Sequence, residues 1–304
     1  MNDRKRTQGI VYAVLSAIAF GHLPIFATYA YRSGANAVTV VLLRFLFSTI
    51  ILLGYLIVRN INFKVDGYML KRLIFSGVVG CASTALTLFL SYKYISVGLA
   101  TILHFIYPAV VTLLSYLVFK ESLNRSKVIA LLLSIAGVYI LVGFNSIKLH
   151  PIGVILALIS GVFYSIYILQ IGYTQIKNID SIVLIFYVSL FSTVGIFIYG
   201  IFTKTLYFKI QQDFVISIAA IVLTSIFALF TFTGAIKNIG SSNASILSTF
   251  EPITSIMLSS IMFNEKLTYN IIIGSILIII SIYGIVKKPV DPNSMYKVSN
   301  RKAS

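Results

Sequence analysis

Tryptophan is absent from the 304-residue chain, cysteine occurs once, and only 11% of the side chains are charged. A lone cysteine, Cys81, excludes an intrachain disulfide and any cysteine-based metal cluster. Soluble domains carry about 25% charged residues. So little charge, beside 58% apolar residues and a mean hydropathy of +0.96, excludes a water-soluble enzyme and equally a disordered or collagen-like chain. No phosphate-cradling P-loop, zinc-binding HExxH helix or nucleophile elbow occurs. No catalytic residue, cofactor, metal site or ATP-driven mechanism is therefore expected.

What is abundant is hydrocarbon, cut into lengths. A bilayer core of about 30 Å needs about 20 apolar residues per helix. Dividing the chain at its charged and turn-rich gaps predicts ten spans at about 8–29, 37–58, 72–92, 97–118, 127–143, 152–172, 181–202, 214–236, 241–263 and 269–286. The Arg4-Lys5-Arg6 start imitates a signal peptide, but the apolar run that follows is too long for one and is read as the first helix.

The net charge of +16 resides in the gaps, with no basic face carrying interleaved aromatics, so no nucleic-acid partner is expected. Counted over alternate gaps, 17 basic residues fall on the side of the two termini and 6 on the other, leaving Arg44 within the second span. Lys and Arg accumulate on the cytoplasmic side. The expectation is a multi-pass protein of the cytoplasmic membrane with both termini cytoplasmic, residues 287–304 forming a basic tail. In the absence of tryptophan, tyrosines near span ends, such as Tyr29, Tyr31, Tyr68, Tyr94 and Tyr173, are expected to supply the interfacial belts.

A shift of 144 residues lays the chain on itself without a gap. It pairs Pro108 with Pro252, Glu121 with Glu265, Lys93 with Lys237 and Gly9 with Gly153, and superposes Leu46-Phe47-Ser48-Thr49 on the identical run Leu190 to Thr193. The units so defined are residues 8–143 and 152–286, each with five predicted helices. An odd number makes the second copy enter the membrane from the opposite side, giving inverted repeats, a recurring architecture of secondary transporters.

These residues carry a family resemblance. Ala19-Phe20-Gly21, Arg44-Phe45 and the blocks LHFIYPAVVTLLSYLVFKE (103–121) and LSTFEPITSIMLSSIMFNE (247–265), each with Pro followed thirteen residues later by Glu, resemble the EamA family of the drug/metabolite transporter superfamily. The resemblance covers residues 8–286. It implies a ten-helix transporter of two five-helix halves, with export as the usual direction.

Polar groups within the spans are the candidate site. An acid at the bilayer centre costs at least about 2.5–3.5 kcal/mol and so needs a partner, a proton or a wet cavity. Glu251 lies near mid-membrane, while its repeat counterpart is Tyr107, so the duplicated scaffold did not impose the acid. Arg44, His22 and His104 come out roughly 10–12 Å deep at 1.5 Å per residue. Arg44 is the candidate partner of Glu251, which is read either as a coupling proton carrier or as half of a structural pair. Thr101, His104, Pro108, Thr112 and Ser115 form one stripe at helical spacing, and Ser241, Ser245, Ser248, Pro252, Ser255 and Ser259 another. Such stripes bring helices close or line an aqueous path. Pro24, Pro108 and Pro252 remove backbone hydrogen bonds and are expected to kink their helices. Glu121 and Glu265 read as caps meeting a helix start or a lysine, and Lys93 and Lys237 as interfacial anchors.

The function expected is secondary transport of a small polar or amphiphilic metabolite, such as an amino acid, by alternating access. Its partners are that substrate, the lipid bilayer and, where Glu251 titrates, protons. A channel or lipid flippase on the same bundle is the alternative; oligomeric state is not encoded legibly.

Overall fold

The computed structural model describes residues 3–95, 97–142, 150–207, 212–263 and 268–287. The expected basic tail beyond Lys287, and Glu265 with its neighbour Lys266, lie outside them. The described chain is helical throughout: α1 (Asp3–Arg32), α2 (Ala37–Val58), α3 (Gly67–Phe75), α4 (Ser83–Ser91), α5 (Val97–His104), α6 (Tyr107–Leu117), α7 (Arg125–Val142), α8 (Pro151–Tyr173), α9 (Ser181–Phe202), α10 (Gln212–Ile239), α11 (Ser241–Leu247), α12 (Glu251–Phe263) and α13 (Tyr269–Lys287).

Among the described residues eight runs are long and apolar enough to cross a membrane: α1, α2, α8, α9, α10 and α13 as single helices, Gly67–Ser91 and Ser241–Met262 as composite ones. In the first composite, a π-helical segment, Ser76–Ala82, joins α3 to α4. In the second, a tight 3-10 turn, Ser248–Phe250, joins α11 to α12. The helices α5 and α6 are each too short to cross alone and meet end to end across Phe105 and Ile106. The 18-residue α7 follows.

Polarity is inverted relative to a soluble protein. Ile50, Ile57, Phe197, Ile198 and Ile201 stand exposed on the outside, while Ser16, Ser160, Ser165, Ser192 and Thr233 are fully buried between helices. In lipid this is the stable arrangement, because apolar surface costs nothing outside and small hydroxylated residues let backbones approach. Several such hydroxyls bond across helices: Ser16 donates to the Ala228 carbonyl at 2.9 Å, Ser192 to Gly77 at 2.9 Å and Ser281 to Ala130 at 2.6 Å.

The 144-residue register reappears in backbone detail. The bounds of α2 and α9 correspond residue for residue, and each is capped by an Asx side chain: Asn36 Oδ1 accepts from the Thr39 N–H, and Asp180 Oδ1 from the Ile182 N–H. Just beyond each helix, Asn60 and Lys204 adopt the left-handed region at φ 52° and 53°. The break before α6 and the turn before α12 also coincide, so Tyr107 and Glu251 each open a helix and Pro108 and Pro252 each occupy its second position.

The halves interleave. The α1 helix packs on α10 and α12, and its counterpart α8 packs on α4, α5 and α6. The counterparts α2 and α9 pack on each other, as do α7 and α13, and α6 meets α11.

Candidate functional site

The site grows from the two helix breaks. Pro108 has no N–H for the His104 carbonyl four residues back, and Pro252 none for Ser248. At the second break the Glu251 N–H bonds the Ser248 carbonyl instead, tightening the turn. Pro24 differs: it sits inside a continuous α1, where the Thr28 hydroxyl donates to its carbonyl at 2.8 Å. Pro108 and Pro252 therefore stand just beyond interrupted helices, whereas Pro24 interrupts none.

At the first break His104 projects between α5 and α8. Its Nδ1 lies 2.9 Å from Ser160 Oγ, and that hydroxyl donates to the Ala157 carbonyl at 2.6 Å. With the serine proton committed, the geometry assigns Nδ1–H as donor to Ser160. Tyr107 is almost completely buried, its hydroxyl bonded to Ser248 Oγ. Its ring meets Tyr164 edge-on at 4.8 Å between centroids and His104 at 5.4 Å. Tyr164 in turn stacks on Phe232 at 6.1 Å.

Arg44 and Glu251 face this aromatic wall. The Arg44 charge is within electrostatic reach of Cys81, Tyr164, Glu251 and Tyr167. Glu251 is within reach of Tyr92, Tyr107 and Tyr164. The direct Arg44–Glu251 ion pair expected from the sequence is not formed: among the described residues the salt bridge present is Lys127–Glu121. Arg44 Nε has no hydrogen-bond partner, and the guanidinium lies 4.9 Å from the Phe45 ring centroid. Arg44, Tyr92, His104, Tyr164 and Glu251 are each partly buried. They form one polar cluster within the bundle, where an ionised group needs a partner or water.

The polar cluster extends toward the end of α4, where Tyr92 is hydrogen-bonded to Thr101 and electrostatically coupled to Tyr31. In the other direction it is sealed, every residue of α11 from Ser241 to Leu247 being buried. Ser248 is buried at that floor and also donates to the Ser245 carbonyl at 2.7 Å. A separate depression of about 540 Å³ opens between the ends of α1 and α10, lined by Phe26, Tyr29, Arg32, Ser33 and Asp213 among others. It shares no residue with the polar cluster.

Of the sequence candidates, the structure brings together Glu251, Arg44, His104, Tyr107, Thr101 and Ser248. His22 stands apart, its Nδ1 turned back to the Ile18 carbonyl at 2.8 Å within α1. Lys237 is a brace rather than a surface anchor: Nζ donates to the Ile179 carbonyl and to Ser181 Oγ, fastening the end of α10 to the start of α9. Sequence reasoning missed Tyr92 and Tyr164. The repeat register held a signal for Tyr164, because it aligns with Phe20 of the Ala19-Phe20-Gly21 motif. The importance of Gly21 is now evident: a Cβ there would lie 2.7 Å from Thr254 Cβ and 3.0 Å from the Glu251 carbonyl oxygen.

Known proteins agree with this architecture. A sequence profile of the EamA-like transporter family matches residues 7–143 and again 151–287. The uncharacterized transporter YvbV of Bacillus subtilis is 30% identical over 62% of this chain, a match that spans 63% of that relative. An uncharacterized transporter of Clostridium kluyveri is 23% identical over 96% of this chain and 97% of its own, and one of Archaeoglobus fulgidus is 25% identical over 80% and 84%. A protein of known crystal structure has the same fold at a TM-score of 0.79, covering 92% of this chain and 98% of its own, with 15% identity. Two consecutive profile matches on an all-helical, multi-pass framework place this chain in the EamA-like transporter family.

Proposed function

We propose that the protein is a ten-span secondary transporter built from two inverted five-helix repeats, moving a small polar or amphiphilic metabolite such as an amino acid by alternating access. The observation that carries this is the reciprocal packing of the halves: α1 on α10 and α12, α8 on α4, α5 and α6. Two oppositely facing copies joined this way can exchange roles and give two states of similar energy. α5 with α6, and α7, complete the ten spans.

The polar cluster, read as the lining of the substrate cavity, supports the substrate class. A guanidinium with no carboxylate partner can hold an anionic group, Glu251 a cationic one, and Tyr92, Tyr107 and Tyr164 offer an apolar wall with hydroxyl edges. The 17 to 6 basic asymmetry supports cytoplasmic termini, which puts the sealed end at the cytoplasm and makes this conformation outward-facing. Export then requires opening at the α11 end. Catalysis has no part in this reading.

Counterflow in proteoliposomes against a panel of amino acids and related metabolites tests it: saturable exchange is expected, and uniform non-saturable leakage would replace the carrier with a pore. Engineered cysteines at Asn62 and Asn124 test orientation, and labelling of either from outside intact cells would reverse it.

A further inference from the structure

The sealed end holds a cluster that the substrate cavity does not use. Glu121 lies in the α6–α7 connection, Lys127 in the first turn of α7, Tyr173 at the end of α8 and Ser242 at the start of α11. Glu121 Oε1 accepts from Lys127 Nζ at 2.7 Å, while Oε2 accepts from Ser242 Oγ at 2.6 Å and from the Tyr173 hydroxyl. The acid and the lysine are only 6% and 7% exposed. Phe119 stacks flat on Tyr173, ring centroids 4.1 Å apart. Beside them α8 and α11 touch so closely that a Cβ on Gly172 would come within 2.0 Å of Ser241 Oγ.

We infer that Glu121 is the latch of this end, and that exchange of its bonds to Tyr173 and Ser242 for water is the step that opens the cavity there. The inference rests on the alternating-access reading above. The bond pattern separates a latch from a permanent brace. The ionic bond is local, made to a lysine six residues away on the same hairpin, and travels with it. Both bonds that cross to the second half come from neutral hydroxyls. Parting the halves thus never strands an unpaired buried charge, the event that makes breaking an ion pair costly. A brace built for permanence would place the lysine across the interface.

The register adds a bias. At the opposite end the sequence repeats the acid and the tyrosine as Glu265 and Tyr29, but sets Gly98 and Ile271 where Ser242 and Lys127 stand. Closure on the Glu121 side therefore has the fuller donor set, and the conformation described is the one closed there.

The test uses the full chain in lipid nanodiscs, with Cys81→Ser and nitroxide labels on Ser122 and Asn178, two exposed sites on different segments of this end. Pulsed electron-electron resonance is expected to give one dominant short distance for the otherwise wild-type protein. Tyr173→Phe combined with Ser242→Ala, which keeps the ion pair, should add a longer-distance population at least threefold above the wild-type level, and Glu121→Gln should do so too. An unchanged distribution in the folded hydroxyl variant overturns the latch, as does a lowered melting temperature without a new distance, which is the signature of a brace. Should Glu121→Gln fail to fold, the hydroxyl variant still decides. If counterflow fails while the distances still shift, the carrier reading falls and the latch stands as the gate of a pore.

Discussion

The Tyr107 hydroxyl meets the Ser248 hydroxyl across 141 residues of sequence, joining positions that are not equivalents of each other. In the repeat register Tyr107 corresponds to Glu251 and Ser248 to His104. Backbone symmetry is close here, while the chemistry placed on it is one-sided. Arg44 has Val188 as its counterpart, Tyr164 has Phe20 and Tyr92 has Ile236. Arg44, Tyr164 and Tyr92 are thus each matched by an apolar residue in the other half. Under the carrier reading proposed above, similar frames let the two states approach each other in energy, while unlike linings let them bind with different affinity.

Arg44 is a partly buried cation that makes no salt bridge among the described residues. A buried guanidinium without a carboxylate carries a desolvation cost that an apolar chain of similar length does not. Arg44→Met is expected to raise the melting temperature in detergent while reducing exchange of an anionic or zwitterionic substrate at least tenfold. A less stable variant, or one transporting normally, would place the anionic site elsewhere.

For Glu251 the missing ion pair changes the expectation. Since Arg44 does not touch it, Glu251→Gln leaves no direct partner unpaired and should fold. If the carboxyl carries the coupling proton, the variant retains substrate exchange between two equal pools but no longer concentrates substrate in response to a pH gradient. Full pH-driven accumulation by the variant removes Glu251 from coupling.

Much of this was legible in the sequence, and the reasons differ by level. Span positions follow from hydrocarbon length, and the repeat from Pro108, Pro252, Glu121 and the 144-residue shift, because lipid leaves the backbone few choices. A rise of 1.5 Å per residue assigns Arg44, His104, Glu251 and His22 similar depths but not an azimuth. The His22 ring returns to its own helix, and Arg44 and Glu251 share a polar cluster without forming a salt bridge. Tyr92 and Tyr164 escaped notice because a tyrosine in an apolar run reads as packing until its neighbours are known. In the sequence Glu121 reads as a cap meeting a helix start or a lysine, and Lys127 is that lysine; its bonds to Tyr173 and Ser242 join segments too distant for any spacing rule.

Gly21 sets the separation of α1 from α12. Overpacking a close contact costs about 1–3 kcal/mol when the neighbour is backbone rather than a flexible tip, and here one neighbour is the Glu251 carbonyl. Gly21→Ala should lower the melting temperature and reduce transport together, whereas Gly54→Ala, at a site with nothing within 4 Å of a Cβ, should do neither. Equal behaviour of the two variants would mean that α1 adjusts freely against α12.

Glu121 gives a pH dependence whose sign can be worked out. Burial pushes its carboxyl up, but the Lys127 charge, with the hydrogen bonds from Lys127, Ser242 and Tyr173, outweighs that and holds it below the usual carboxylate range. A carboxyl whose folded value lies below its unfolded value stabilises the fold fully above the unfolded value, about 4.3 for a glutamate, and loses that contribution as pH falls through the folded value. Melting temperature in detergent should therefore drop on acidification from pH 7 to below about 4. Glu121→Gln cannot titrate, so its curve should start lower at pH 7, where charge-assisted bonds contribute about 1.5–3 kcal/mol each, and stay flatter through the acid range. Tyr173→Phe retains the lysine and should keep a shallower version of the same slope. Identical slopes for wild type and Glu121→Gln would remove Glu121 as the source of the acid sensitivity.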